Sequence, residues 1–148
     1  MKELRASSRR RSREVALQVL FALDLQRRRS NGTCGAEATF AGVADHFEVP
    51  EGSKAFAEEL VQAVSEHGEQ LDETIAARAS NWRVSRMAAV DRNSLRLGAF
   101  ELLHSDTPPA VILNEAIELA HRYGSDASPA FVNGILDAVA KSLGEVRD

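Results

Sequence analysis

The chain has 148 residues, 44% of them hydrophobic, with 18 Lys/Arg against 22 Asp/Glu and one cysteine. That length suits one compact domain, or two small subdomains sharing a core, with about two thirds of the unfolded surface buried. The lone Cys34 excludes an intramolecular disulfide and a thiolate metal cluster, and no apolar run approaches the roughly twenty residues needed to cross a bilayer, so the sequence reads as a cytoplasmic protein that is neither exported nor membrane-bound.

The net charge of −4 is unevenly spread. Through Arg29 nine Lys/Arg face three Asp/Glu, a balance of +6, whereas the remainder carries nine against nineteen, a balance of −10. A basic head on an acidic body points to nucleic-acid contact confined to the head.

Arg9 to Leu25, RRRSREVALQVLFALDL, joins an arginine cluster to a helical apolar pattern. At 3.6 residues per turn Val15, Ala16, Val19, Leu20, Ala22 and Leu23 share a core-facing arc, while Arg10, Arg13, Leu17 and Phe21 share the other side. A basic stripe carrying an aromatic suits single-stranded RNA, with guanidinium groups on phosphates and a ring under an unstacked base. The same spacing also fits a core phenylalanine beside a solvated helix start, and it leaves both readings open. Ser7, Ser8 and Ser12 each offer an N-cap. Positive charge at that end opposes the helix dipole, a conflict more natural to binding than to stability.

Arg27 to Gly35 has loop composition, with a turn at Asn31-Gly32. A short helix is expected over 36–47, with Phe40, Val43 and Phe47 on one side, closed by Val49-Pro50-Glu51-Gly52. Ser53 then caps a helix carrying Phe56, Leu60, Ala63, Val64 and His67, which Gly68 interrupts before Leu71, Ile75 and Ala79 resume the period. Trp82, in NWRVSRM, reads as a plug between two halves. From Asp91 a further helix turns Leu95, Ala99, Leu102 and Leu103 inward and Arg92, Arg96 and Glu101 outward, with Gly98 permitting close approach of another helix. Thr107-Pro108-Pro109 opens the next helix, lined by Ile112, Ala116, Leu119, Ala120 and Tyr123, and Ser128-Pro129 opens the last, lined by Phe131, Val132, Ile135, Leu136, Val139 and Leu143. Every periodic segment is helical, so the fold class is all-α with about seven helices.

No catalytic constellation emerges. The histidines at 46, 67, 104 and 121 have no metal-ligand spacing, there is no glycine-rich phosphate loop or serine-nucleophile motif, and Glu115 with Glu118 has the spacing of a solvated helix face. The chain is expected to be no enzyme and to need no metal or cofactor. Asn133-Gly134 lies inside the last helix, where glycine costs about 1 kcal/mol relative to alanine. Close helix packing is one explanation and room for a ligand or RNA the other; Phe131 divides in the same way between core and base stacking.

Three ordered motifs carry a resemblance. RRRSREVALQVLFALDL, VDRNSLRLGAFELL, and ILNEAIELAHRYG followed by SPAFVNGILDAVAK together resemble the NusB family of bacterial transcription antitermination factors over nearly the whole chain. The resemblance implies two small helical bundles sharing the N-terminal helix. On this chain it implies a basic arm over 1–13, an N-terminal subdomain over about 14–80 and a C-terminal one over about 81–148. It also implies binding to boxA RNA jointly with NusE, a ribosomal small-subunit protein, within the RNA polymerase antitermination complex, and a homodimer in some members. Matched by motif, the RNA-binding residues would be Arg9, Arg10, Arg11, Arg13, Phe21, Ser128 and Phe131. Phe21 stands where tyrosine is also found, which removes a hydroxyl and keeps the ring; Ala127 stands where an acidic residue is common. Two other readings are a helical interaction dimer that meets no RNA, and a relative of the RNA-binding domain of ribosomal RNA cytosine methyltransferases. For the second, a chain ending at Asp148 leaves no room for a cofactor-binding fold.

Overall fold

A computed structural model describes the backbone over residues 2–30 and 51–147 and the side chains over 9–26 and 52–144. All of its regular structure is helical: α1 (Lys2–Ser30), α2 (Glu51–Glu66), α3 (Gly68–Arg78), a 3₁₀ turn (Val84–Arg86), α4 (Ala89–His104), α5 (Pro109–Tyr123) and α6 (Ser128–Arg147). The all-α class is as expected, and the helix expected over 36–47 lies outside the described residues. The chain divides into two compact units, Met1–Glu66 and His67–Asp148.

In the first unit α1 packs on α2. Val15, Ala16, Val19, Leu20 and Leu23 are buried on α1, and Ala57, Leu60, Val61 and Val64 on α2. Leu17, expected on the outer side with Arg13, is buried as well, so this helix is covered over more than the single arc the wheel assigns. Ser7, Ser8 and Ser12 are not caps, because the helix already runs from Lys2; it also continues through Arg27 to Ser30, where a loop was expected. Ser12 instead donates its hydroxyl to the carbonyl of Ser53 at 2.7 Å within the protein interior. Ser53 likewise lies inside α2 rather than capping it.

The second unit is organised around α4, which packs against α3, α5 and α6. Helices on several sides explain why Arg92 and Glu101, expected to point outward, are buried. Arg92 donates to the carbonyls of Met87 at 3.0 Å, Val84 at 3.2 Å and Ser85 at 3.4 Å, which ties the 3₁₀ turn to α4. Arg96 forms a two-pronged ion pair with Asp72 of α3, at 2.7 and 2.9 Å. Gly98 has the role expected of it: a Cβ there would lie 2.5 Å from Leu136 Cδ1, so its absence lets α6 close on α4. Gly134 does not serve close packing, since a Cβ there would meet nothing within 4 Å.

The helix starts follow local chemistry. Pro109 occupies the first turn of α5, where its missing N–H costs nothing. His67 interrupts the path between α2 and α3, with backbone angles outside the helical range. Between α5 and α6, Ser128 Oγ accepts the backbone N–H of Ser125 at 2.9 Å. A Cβ on Gly124 would sit 2.5 Å from that oxygen, so the tight connection requires glycine there.

Candidate nucleic-acid interface

In the first unit the candidate site is built on the N-terminal half of α1 and the start of α2. Arg9 and Arg10 are exposed. The guanidinium of Arg9 lies 4.3 Å from the centre of the half-buried Phe56 ring, within cation–π range. Arg13, 4% exposed, lies 5.8 Å from the same ring. Arg11 pairs with Glu14 one turn on, at 3.0 Å. The arginine cluster is therefore graded: two groups face solvent, one is committed to a helical ion pair, and one is sealed beside an aromatic.

Phe21 lies on the same helix, about 16 Å along the axis from Arg10 at 1.5 Å per residue. It is 37% exposed, and Leu25, one turn further on, is also exposed. The stripe Arg10, Arg13, Leu17, Phe21 thus reaches solvent at its ends and is buried in its middle. The exposed ends can hold a phosphate and a base, whereas the buried centre holds the helix in place.

In the second unit Ser128 and Phe131 stand on the first turn of α6. Ser128 is 2% exposed and its hydroxyl serves the α5–α6 connection. Phe131 is half-buried, with its ring 5.4 Å from Trp82 at an interplanar angle of 77°, an edge-to-face pair. Trp82 is not the buried plug expected from sequence, because 58% of it is exposed. Among the described residues no three His, Cys, Asp or Glu side chains converge as a metal group would, and no helix is long and apolar enough to cross a membrane.

Sequence reasoning did not place Phe56 beside Arg9 and Arg13, or Trp82 beside Phe131. Phe56 falls on the core period of its helix, and nothing local reveals that Arg9 and Arg13 of another helix lie over it. For Trp82 a signal was present: Arg83 follows directly and Arg86 stands four residues on, a basic-aromatic cluster with no acid over residues 81–88.

The NusB family model matches residues 10–141. The chain belongs to the NusB family. Transcription antitermination protein NusB of Desulfitobacterium hafniense (strain DSM 10664 / DCB-2) is 47% identical over 137 residues, covering 92% of this chain and 90% of that protein. Among solved structures, T. maritima NusB superposes with a TM-score of 0.80 at 35% identity, covering 90% of each chain. A chain in a crystal structure of antitermination factors NusB and NusE in complex with double-stranded RNA matches with a TM-score of 0.80 at 27% identity, covering 92% of this chain and 98% of that one. The matched span takes in α1 from Arg10 onward, with Phe21, and also Trp82, Ser128 and Phe131.

Proposed function

We infer that the protein is a non-catalytic RNA-binding adaptor of transcription antitermination, which binds boxA-type RNA together with NusE and promotes transcription of ribosomal RNA. The observation that carries this reading is the likeness, over nearly the whole chain, to a NusB solved with NusE and RNA. No bond is made or broken; the chain's contribution is to hold RNA and protein together. The RNA polymerase antitermination complex is the assembly served, and work on nascent RNA places the protein in the cytoplasm. A homodimer of the free protein would compete with RNA wherever it covers the arginine face.

Within this reading Arg9 and Arg10 hold phosphates and Phe21 receives a base, as exposed cations and rings do in single-strand binding. Arg11 and Arg13 support that surface from within the helix pair, Arg13 beside Phe56 and Arg11 through Glu14. Phe131 offers a second ring, and Ser128 positions it by fixing the start of α6.

Titration with boxA RNA and a scrambled control, with and without NusE, tests the reading. Preference for boxA, strengthened by NusE, is the expected result; equal and weak binding to both RNAs would leave only the interaction-dimer reading. Each phosphate neutralised on a single strand contributes about −0.7 to the log–log salt slope. Replacing Arg9 and Arg10 together with alanine should therefore make the slope shallower by about 1.4, and an unchanged slope would remove these two side chains from the phosphate contact.

A further inference from the structure

We propose that Trp82, paired with Phe131 and flanked by Arg83 and Arg86, is a second base-stacking site for an unpaired segment of the same RNA. The proposal rests on the RNA-adaptor reading and adds to it a residue and a location.

Tryptophan is the costliest residue to leave in water, and more than half of Trp82 is exposed. Among the described residues its ring partner is Phe131, which meets it nearly at right angles at 5.4 Å. An edge-to-face pair of this kind fixes the indole while leaving ring surface uncovered. Such a ring suits an unstacked base, because every base presents a π-face whatever its identity.

The support beneath the ring is rigid. Trp82 donates its backbone N–H to the carbonyl of Ala79 at 3.0 Å. The 3₁₀ turn that follows is held by the buried Arg92 through three carbonyls. A ring mounted on a tied turn loses little freedom when a base settles on it, so binding is not offset by ordering.

Charge selects the class of partner. Residues 81–88 contain Arg83 and Arg86 and no carboxylate, within a body whose balance beyond Arg29 is −10. Both arginines are exposed. An apolar protein surface would gain from the ring but not from two cations beside it; a polyanion that also carries flat rings gains from both. Beside Phe131 on α6, Ala130, Asn133 and Gly134 are exposed, and Gly134 has open space where a side chain would stand. Gly134, one turn on from Phe131, raises no side chain beside that ring, which gives the glycine inside α6 a use that packing does not.

Trp82 is the only tryptophan, so intrinsic emission reports this site alone. The full chain would be titrated with boxA RNA while anisotropy of a labelled copy of that RNA measures association independently. Expected are quenching that tracks the anisotropy curve, about tenfold weaker binding by Trp82→Ala, and binding within about threefold of wild type for Trp82→Phe, since stacking on one ring is typically worth a factor of roughly 5 to 150. Unchanged circular dichroism and melting of both variants are expected for so exposed a side chain. RNA association with unaltered emission and unaltered Trp82→Ala affinity would overturn this site and leave the adaptor reading intact. Emission that moves on addition of NusE alone, and not with RNA, would assign the ring to a protein partner and overturn it equally. No association with RNA by anisotropy would sink the adaptor reading and this site together.

Discussion

Arg9 and Arg10 in the first unit and Arg92 in the second lie in opposite surroundings. In the first unit Arg9 and Arg10 lie at the surface, Arg9 over the Phe56 ring. In the second, Arg92 is 3% exposed and spends its donors on the carbonyls of Val84, Ser85 and Met87. The guanidinium has the same chemistry in both places; the surroundings decide what it is for. A buried guanidinium must be satisfied by fixed acceptors, and once satisfied it holds backbone in place. An exposed one keeps most of its hydration and can exchange it for a phosphate. Charge counts along a sequence merge these two kinds of residue, whereas burial separates them.

Substitutions at three arginines probe that contrast, from the largest expected effect to the smallest. Arg92→Ala should destabilise the fold by about 3 kcal/mol in denaturant melts, because hydrogen bonds from a charged donor are lost and buried carbonyls are left without it. Stability within experimental error of wild type would mean that water replaces the guanidinium and that the turn needs no clamp. Arg96→Ala breaks a partly buried two-pronged pair with Asp72 and should cost about 1 kcal/mol; Asp72→Ala should cost about the same, and the double variant little more than either. Arg9→Ala should shift stability by only about 0.5 kcal/mol, the scale of an exposed cation–π contact, while still weakening RNA binding in low salt. If Arg9→Ala instead unfolded the protein while Arg92→Ala did not, the division between binding and structural arginines would be reversed.

Much of the fold was legible because helix periodicity is a local property. Val15, Val19 and Leu23, Leu71 with Ile75, and Ile112, Ala116 and Leu119 are buried where the 3.6-residue pattern places them. Punctuation was equally readable at Pro109, at Ser128-Pro129 and at the break around His67. The errors in facing share one cause: a helical wheel assumes one buried face. Leu17 on α1 and Arg92 and Glu101 on α4 are buried because these helices are covered on more than one side, which no single-helix pattern records. The two glycines show the same limit. Gly98 lets Leu136 approach, whereas Gly134 borders open space, yet both are single glycines inside helical patterns.

At the candidate interface the sequence pointed to the basic, aromatic helix and, through its motifs, to Ser128 and Phe131. It did not grade them. Arg13 and Ser128 are internal, at 4% and 2% exposure, whereas Arg9, Arg10 and Ala127 are exposed. It also placed Trp82 in the interior, since a lone tryptophan between helical segments is ordinarily core.

What the sequence by itself determined is the all-helical class, most of the apolar faces, the concentration of positive charge near the N-terminus, and the three motifs of the NusB family. Each of these is written in residue type and spacing within about twenty residues. Only the tertiary structure decided which arginines face water, that Phe56 lies beneath Arg9, that Arg92 clamps the turn after Trp82, and that the indole stands open beside Phe131. Those are relations between separate elements, set by which surfaces pack and which remain in solvent.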